Sequence, residues 1–244
     1  MRPIRRNDRP AAAEYSSFSD AKADLVSRMG RYCSYCERGI ATVLAVEHIQ
    51  PKGLPAYSEL ELEWTNFLLA CVNCNSTKKD KDVILSDVLL PDRDNTAAAF
   101  VYLDDGSVGL SPEVIGTATE SKANRILSLT GLDKRYSETV DANGNAVALD
   151  RIAQRKEALG TARLALTLYA SSPSDEVMTC IVIMAKATGY FSIWYKVFVD
   201  VPEILLQLIR NFPGTSESGC FSDIDGIMVS PSPNPDALLH GGKI

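Results

Sequence analysis

Two Cys-x-x-Cys pairs, Cys33/Cys36 and Cys71/Cys74, constrain this chain more than any other feature. Each pair presents two thiols from one tight turn, and a tetrahedral Zn²⁺ takes four such thiolates at about 2.3 Å. A disulfide framework does not suit a reducing compartment, and a thioredoxin-like redox centre needs one pair in a βαβ setting. The four cysteines are therefore read as a structural zinc site. The 34 residues between Cys36 and Cys71 exceed the roughly 15–20 of common zinc ribbons. Something is inserted between the knuckles. Cys180, in an apolar helical stretch, and Cys220, in a Gly- and Ser-rich one, read as ordinary side chains.

With 244 residues, 45% hydrophobic and 23% charged, the chain has the composition of a globular protein. Its longest apolar run, 177–185, is stopped by Lys186, short of the roughly 18 residues of a membrane span. The basic start MRPIRRNDRP leads into Ala-Ala-Ala-Glu and has no apolar core of a signal peptide, so the expected location is the cytoplasm, with no membrane partner. The net charge of -6 speaks against a protein that coats nucleic acid. The charge is unevenly placed, however. Residues 1–80 hold 11 Lys and Arg against 10 Asp and Glu, a net of +1, which leaves -7 for the remainder. Arg2, Arg5, Arg6 and Arg9 make a small basic arm, or else a solvated terminus.

The pattern predicts an α+β chain. Residues 17–29 read as a short helix ending at Gly30, and Ile40–Ile49 as a strand, with Gly39 a candidate hairpin turn. Gln50–Ala56 is loop, and a helix could begin in Asn75–Lys81 at the second knuckle. Asp105-Gly106 signals a hairpin between 99–103 and 107–110, and 117–129 reads as a helix capped at Gly131. Four more helices are expected at 150–170, 175–187, 191–199 and 202–210. The expected division is a zinc-scaffolded domain over 1–95 carrying the basic arm, a β-hairpin plus helical domain over 96–212, and an irregular tail over 213–244.

Between the knuckles lie Val46-Glu47-His48-Ile49-Gln50-Pro51-Lys52 and Trp64-Thr65-Asn66-Phe67-Leu68-Leu69, and the second knuckle runs on as Cys71-Val72-Asn73-Cys74-Asn75-Ser76-Thr77-Lys78. An acidic residue before His-Ile with Pro nearby, an Asn in an apolar segment, then Cys-x-x-Cys-Asn-x-x-Lys resembles the HNH nuclease motif, a ββα-metal finger held by zinc knuckles. More closely, CSYCERGI, VEHIQPKG, EWTNFLLACVNCNSTK and the start MRPIRR are similar to the HNH subunits of Septu and related retron-associated anti-phage systems. The motif covers about residues 31–80. Many family members carry Asp in place of Glu47 and His in place of Asn75.

The chemistry of these residues stands beside that resemblance. Phosphodiester hydrolysis needs an activated water, a cation against the charge that builds on the phosphate, and a rigid frame. His48 is the candidate general base, and Glu47 a hard oxygen ligand for Mg²⁺ or Mn²⁺. Adjacent strand residues point to opposite faces, so both reach one phosphate only where the strand ends; Gln50-Pro51 supplies the ending. The resemblance implies that Asn66 orients the His48 ring or pins the loop, and that Asn75 is the second ligand of the catalytic metal. Lys78, one turn after Asn75, would face the same side, and Lys78 and Lys52 are the candidate substrate-binding cations. Trp64, Leu68 and Leu69 are assigned to packing, and His240 to no role.

These readings imply a metal-dependent HNH endonuclease acting on nucleic acid, DNA before RNA. The competing reading is a zinc-ribbon module that binds nucleic acid or protein without cutting, though such a ribbon has no use for a Glu-His pair between its knuckles. The chain has no Gly-x-x-x-x-Gly-Lys-[Ser/Thr] loop. The Septu resemblance therefore implies a separate ABC- or SMC-like ATPase subunit, with the acidic helical part as its docking surface.

Overall fold

The computed structural model describes residues 1–11, 13–134 and 151–244. Asp150, the expected start of the long helix, lies outside the described residues. A 3-10 turn, Phe18–Ala21, leads into helix α1, Lys22–Met29. Ser17 and Asp20 form a reciprocal capping box that satisfies backbone N–H groups at the entry. Strand β1 is Ala45–His48 and strand β2 is Phe67–Ala70; helix α2, Val72–Lys78, follows at once. The two strands pair antiparallel, with Ala45 opposite Ala70 and His48 opposite Phe67.

The strand expected over residues 40–49 is thus shorter, and its partner is not a hairpin turned at Gly39. Beyond Ala70, Cys71 caps α2, so β2 offers no partner to residues 40–44, and Ile40 N instead donates to Arg31 O across the first knuckle at 2.8 Å. Val43 in that segment takes a left-handed φ of 58° and is exposed. Helix α2 in turn starts three residues earlier than Asn75, because the Cys71 side chain accepts the Cys74 N–H as its cap.

Helix α3, Thr96–Ala99, precedes the hairpin of β3, Phe100–Tyr102, and β4, Val108–Leu110, which turns at Asp105-Gly106 as expected. Helix α4, Glu120–Thr130, stops at Gly131 with φ 66°, a left-handed cap. The remaining helices are α5, Arg151–Ser171; α6, Asp175–Thr188; α7, Phe191–Val197; and α8, Pro202–Asn211. No described helix is long and apolar enough to cross a membrane.

One apolar core joins α1, both knuckles, β1, β2 and α4, with Phe67, Leu68 and Leu69 fully enclosed. A second core, around Phe191, Trp194, Phe198 and Phe212, joins α5 to α8. The first knuckle holds the two together. Glu37 O accepts the Tyr190 N–H at 2.8 Å, and the Glu37 carboxylate accepts from Tyr102, Ser192 Oγ and Ser192 N. Gly189 lies so close that a Cβ there would meet the Gly39 nitrogen at 2.5 Å, which excludes any other residue.

Two of the four N-terminal arginines, Arg2 and Arg6, do not belong to a solvated arm, whereas Arg9 is exposed. Arg2 donates to Pro213 O, Thr215 and Met29 O, and Arg6 to Phe67 O and Asp92; both are buried. The segment is drawn inward because its backbone also bonds Pro91 and Gly214. The C-terminal stretch is irregular, as its composition predicts, yet Cys220 and Phe221 belong to the second core.

Candidate active site and metal centre

The sulfurs of Cys33, Cys36, Cys71 and Cys74 all lie within 4.8 Å of one another, and all four residues are buried. Cys36 Sγ and Cys71 Sγ are 3.7 Å apart; two thiolates at the corners of a Zn²⁺ tetrahedron stand about 3.8 Å apart. Backbone N–H groups of Cys36 and Cys74 point at Cys33 Sγ and Cys71 Sγ, as each tight turn requires. Arg151, at the start of α5, donates to Cys74 Sγ at 3.3 Å and to Thr130 O and Gly131 O. Four thiolates on one dication leave net negative charge, and this guanidinium offsets part of it. The donor set, its spacing and its cationic neighbour all fit a structural zinc. Cys180 and Cys220 lie outside the cluster.

The ββα unit built on this scaffold positions the candidate chemistry. β1 ends at His48, and an Asn66 grip fixes the chain beyond it. Asn66 Oδ1 accepts the Gln50 N–H at 2.8 Å, Asn66 Nδ2 donates to Gln50 O at 2.9 Å, and Asn66 O accepts from Ile49 N. Asn66 therefore pins the loop; its side chain makes no bond to the His48 ring. That ring stands edge-on to Phe18 and Phe67, at centroid distances of 5.0 and 5.2 Å. His48 Nε2 lies 2.9 Å from Glu61 O. A carbonyl only accepts, so Nε2 carries the proton and Nδ1 holds the free lone pair. Burial lowers the His48 pKa from its ordinary value and keeps the ring neutral.

Glu47 points the other way and is buried. Its Oε1 stands 2.7 Å from Lys78 Nζ in a buried ion pair. Burial raises the Glu47 pKa, and the nearby ammonium offsets this only in part. Lys78 donates as well to His48 O at 2.8 Å. Only 2% exposed, it is enclosed between the two residues and does not reach solvent, where a phosphate would lie. Lys52 stays on the surface, paired with Glu61 and set over the Phe18 ring.

An open cleft of about 580 Å³ gathers Glu47, His48, Lys52 and Asn75 on its walls. Asn75 is half-buried, and its carboxamide has no hydrogen-bond partner among the described residues. Lys78 and Asn66 lie behind the lining. Two further cations that the sequence reading did not single out, Lys22 and Lys79, also line the cleft. Lys79 adjoins the motif, whereas Lys22 comes from α1, outside it, and no local signal marked it. Tyr35, between the first two cysteines, was missed as well; it is fully buried, with its hydroxyl beside the Glu47 carboxylate.

No curated protein matches the chain. The segment that builds both the four-cysteine centre and the cleft does find a counterpart: residues 33–81 match the family model of HNH endonucleases, and in that segment the chain is similar to them.

Proposed function

We propose that the protein is a metal-dependent endonuclease that hydrolyses phosphodiester bonds in nucleic acid, DNA before RNA. The observation that carries this reading is that Glu47, His48 and Asn75 all line one cleft. A zinc ribbon that only binds has no need to gather a base and two hard oxygen donors around a single space.

His48, neutral and protonated on Nε2, takes a proton from water at Nδ1. Its bond to Glu61 O fixes the ring, and the Asn66 grip on Gln50 fixes the strand end. The Glu47 carboxylate and the Asn75 carboxamide oxygen suit a hard cation; the Asn75 side chain has no hydrogen-bond partner among the described residues, and a cation there would share Glu47 with the Lys78 ammonium 2.7 Å away. A bound Mg²⁺ or Mn²⁺ would supply charge neutralisation at the scissile phosphate. Lys22, Lys52 and Lys79 line the same cleft and hold phosphate oxygens by charge. The sequence assigned that task to Lys78; in this reading Lys78 supports Glu47 and His48 from behind.

The test is cleavage of plasmid DNA and of total RNA with Mg²⁺ or Mn²⁺, wild type against His48→Ala. Loss of cutting in the variant supports the assignment, and the substrate that is cut decides between DNA and RNA. Equal cutting by both proteins removes His48 from the chemistry; binding without any cutting favours the zinc-ribbon alternative.

The finer assignment, the nuclease of a Septu-type anti-phage complex with an ABC- or SMC-like ATPase, rests on the motif resemblance and on the charge split. The near-neutral part holds the cleft, and the acidic helical part is left for the partner. Co-purification with an ATPase encoded beside it supports this reading. Full activity in a monomer indifferent to that ATPase would sink it.

A further inference from the structure

A second groove, of about 520 Å³, lies across a single seam from the catalytic cleft. Helix α1 serves both, with Lys22 on the cleft and Val26 on the groove. The segment after the first knuckle does the same: Ile40 and Ala41 wall the groove, and Val43 to Ala45 wall the cleft. The groove's far wall comes from the end of α6, with Lys186 and Ala187.

Its charge sets the groove apart from the molecule around it. Arg31 and Lys186 line it, and no Asp or Glu does. Both cations are exposed, and neither side chain makes a hydrogen bond or ion pair among the described residues. Two other exposed cations of the helical part, Arg163 and Lys196, are by contrast neutralised by Asp104. Lys186 stands in the part of the chain that carries the net of -7, yet faces the nuclease unit. Its backbone is tied there, since Tyr32 Oη donates to Lys186 O at 2.9 Å. Two unpaired cations on walls free of acid favour an anionic polymer.

We propose that this groove is a nucleic-acid backbone subsite, in which Arg31 and Lys186 hold phosphates of the strand that leaves the catalytic cleft. The proposal rests on the nuclease reading above for the direction of the strand. The eight residues of α1 span about 12 Å, or roughly three to four nucleotides at 3.4 Å each. A substrate confined to the cleft misses the groove, and a longer one reaches it. The subsite also gives the helical part a role on the substrate, supplied by Lys186.

The experiment measures binding of the full, zinc-loaded chain to labelled hairpins, made once in DNA and once in RNA, with no Mg²⁺ or Mn²⁺ added. One hairpin spans two helical turns, the other less than half a turn. Arg31→Glu and Lys186→Glu are each expected to weaken binding of the long hairpin about tenfold, and the double Arg31→Gln/Lys186→Gln variant to lower the salt slope by about two. The short hairpin is expected to bind all variants alike. Arg210→Glu, an equal charge reversal at the exposed end of α8, is expected to leave binding unchanged. Melting temperature and zinc content are compared throughout, and the neutral Gln variants serve if a charge reversal fails to fold. Long-hairpin binding unaffected in the double variant, an equal loss with Arg210→Glu, or a wild type that binds long and short hairpins equally or not at all, overturns the subsite. If the binding differences hold while wild type and His48→Ala show the same cleavage, the subsite stands and the nuclease reading falls.

Discussion

Lys78 Nζ stands 2.7 Å from Glu47 Oε1, with the two side chains 2% and 4% exposed. An ammonium and a carboxylate so enclosed compensate each other's desolvation, and removing one leaves the other stranded. Lys78→Met is therefore expected to cost about 3–5 kcal/mol, and to lower the melting temperature by roughly 10 °C for a chain of this size. Glu47→Gln on top of Lys78→Met should recover much of the loss, since the pair is then replaced by neutral groups. Thermal melts of wild type, the Lys78→Met and Glu47→Gln single variants and the double variant check this. A double variant no more stable than Lys78→Met would show that the pair is not the source of the effect.

The Asn66 grip predicts a separation between stability and chemistry. Asn66→Asp keeps the acceptor for Gln50 N but loses the donor to Gln50 O, and places a charge against a carbonyl. Lost hydrogen bonds of this kind cost about 1–3 kcal/mol when a buried partner is left unsatisfied. Cleavage is expected to fall by more than ten-fold, because the strand end that carries His48 loosens, while zinc content stays at wild-type level. Equal cleavage by Asn66→Asp and wild type would show that the grip does not position the base.

Zinc removal is expected to disturb both parts of the molecule. The first knuckle anchors the α6–α7 corner through Glu37, and Arg151 ties α5 to Cys74. Four free thiols repel once deprotonated and otherwise leave the turn without its centre. Titration with a strong chelator should lower the melting temperature, expose four thiols to a labelling reagent, and open proteolytic sites in α5 as well as in residues 33–81. Cutting confined to residues 33–81 would show that the helices stand without the zinc.

What could be read from the chain follows from how local each feature is. The zinc cluster and the Glu47-His48 strand end are set by residues close in sequence or by fixed motif spacing and are legible there, as is the presence of a helix at the second knuckle, though α2 starts three residues before Asn75. The truncation of the strand at Ala45 depends on where β2 ends, some 25 residues away, and nothing between Ile40 and Leu44 carries that information. Lys78 shows the same limit in another form. Helical spacing gives its direction relative to Asn75, but not the neighbours that enclose it. Arg2 and Arg6 look like a solvated basic arm because their acceptors, Thr215 and Asp92, are distant in the sequence.

Asp92 gives the pH dependence of stability a specific source. Burial by itself pushes its carboxyl up, but the guanidiniums of Arg93 and Arg6, at 2.9 and 3.1 Å, more than offset this and hold it below its ordinary value. A carboxyl with a lowered folded pKa contributes stability that is present above the unfolded value of about 3.9, and that is lost as the pH falls through the folded value. The contribution is thus complete from neutral pH to about 5 and disappears in more acid solution. Asp92→Asn leaves two buried guanidiniums without their counter-charge, so the variant is expected to be less stable by about 3–5 kcal/mol at pH 7. The gap between wild type and variant should close below about pH 4, where the wild type loses the same charge. Arg6 also donates to Phe67 O, opposite His48 in the sheet. Loss of its partner therefore loosens β2, and Asp92→Asn should lower cleavage at pH 7 without touching the cleft. Melting curves from pH 3 to pH 8 check the sign, and a gap of constant size across that range would mean that Asp92 is not the titrating group.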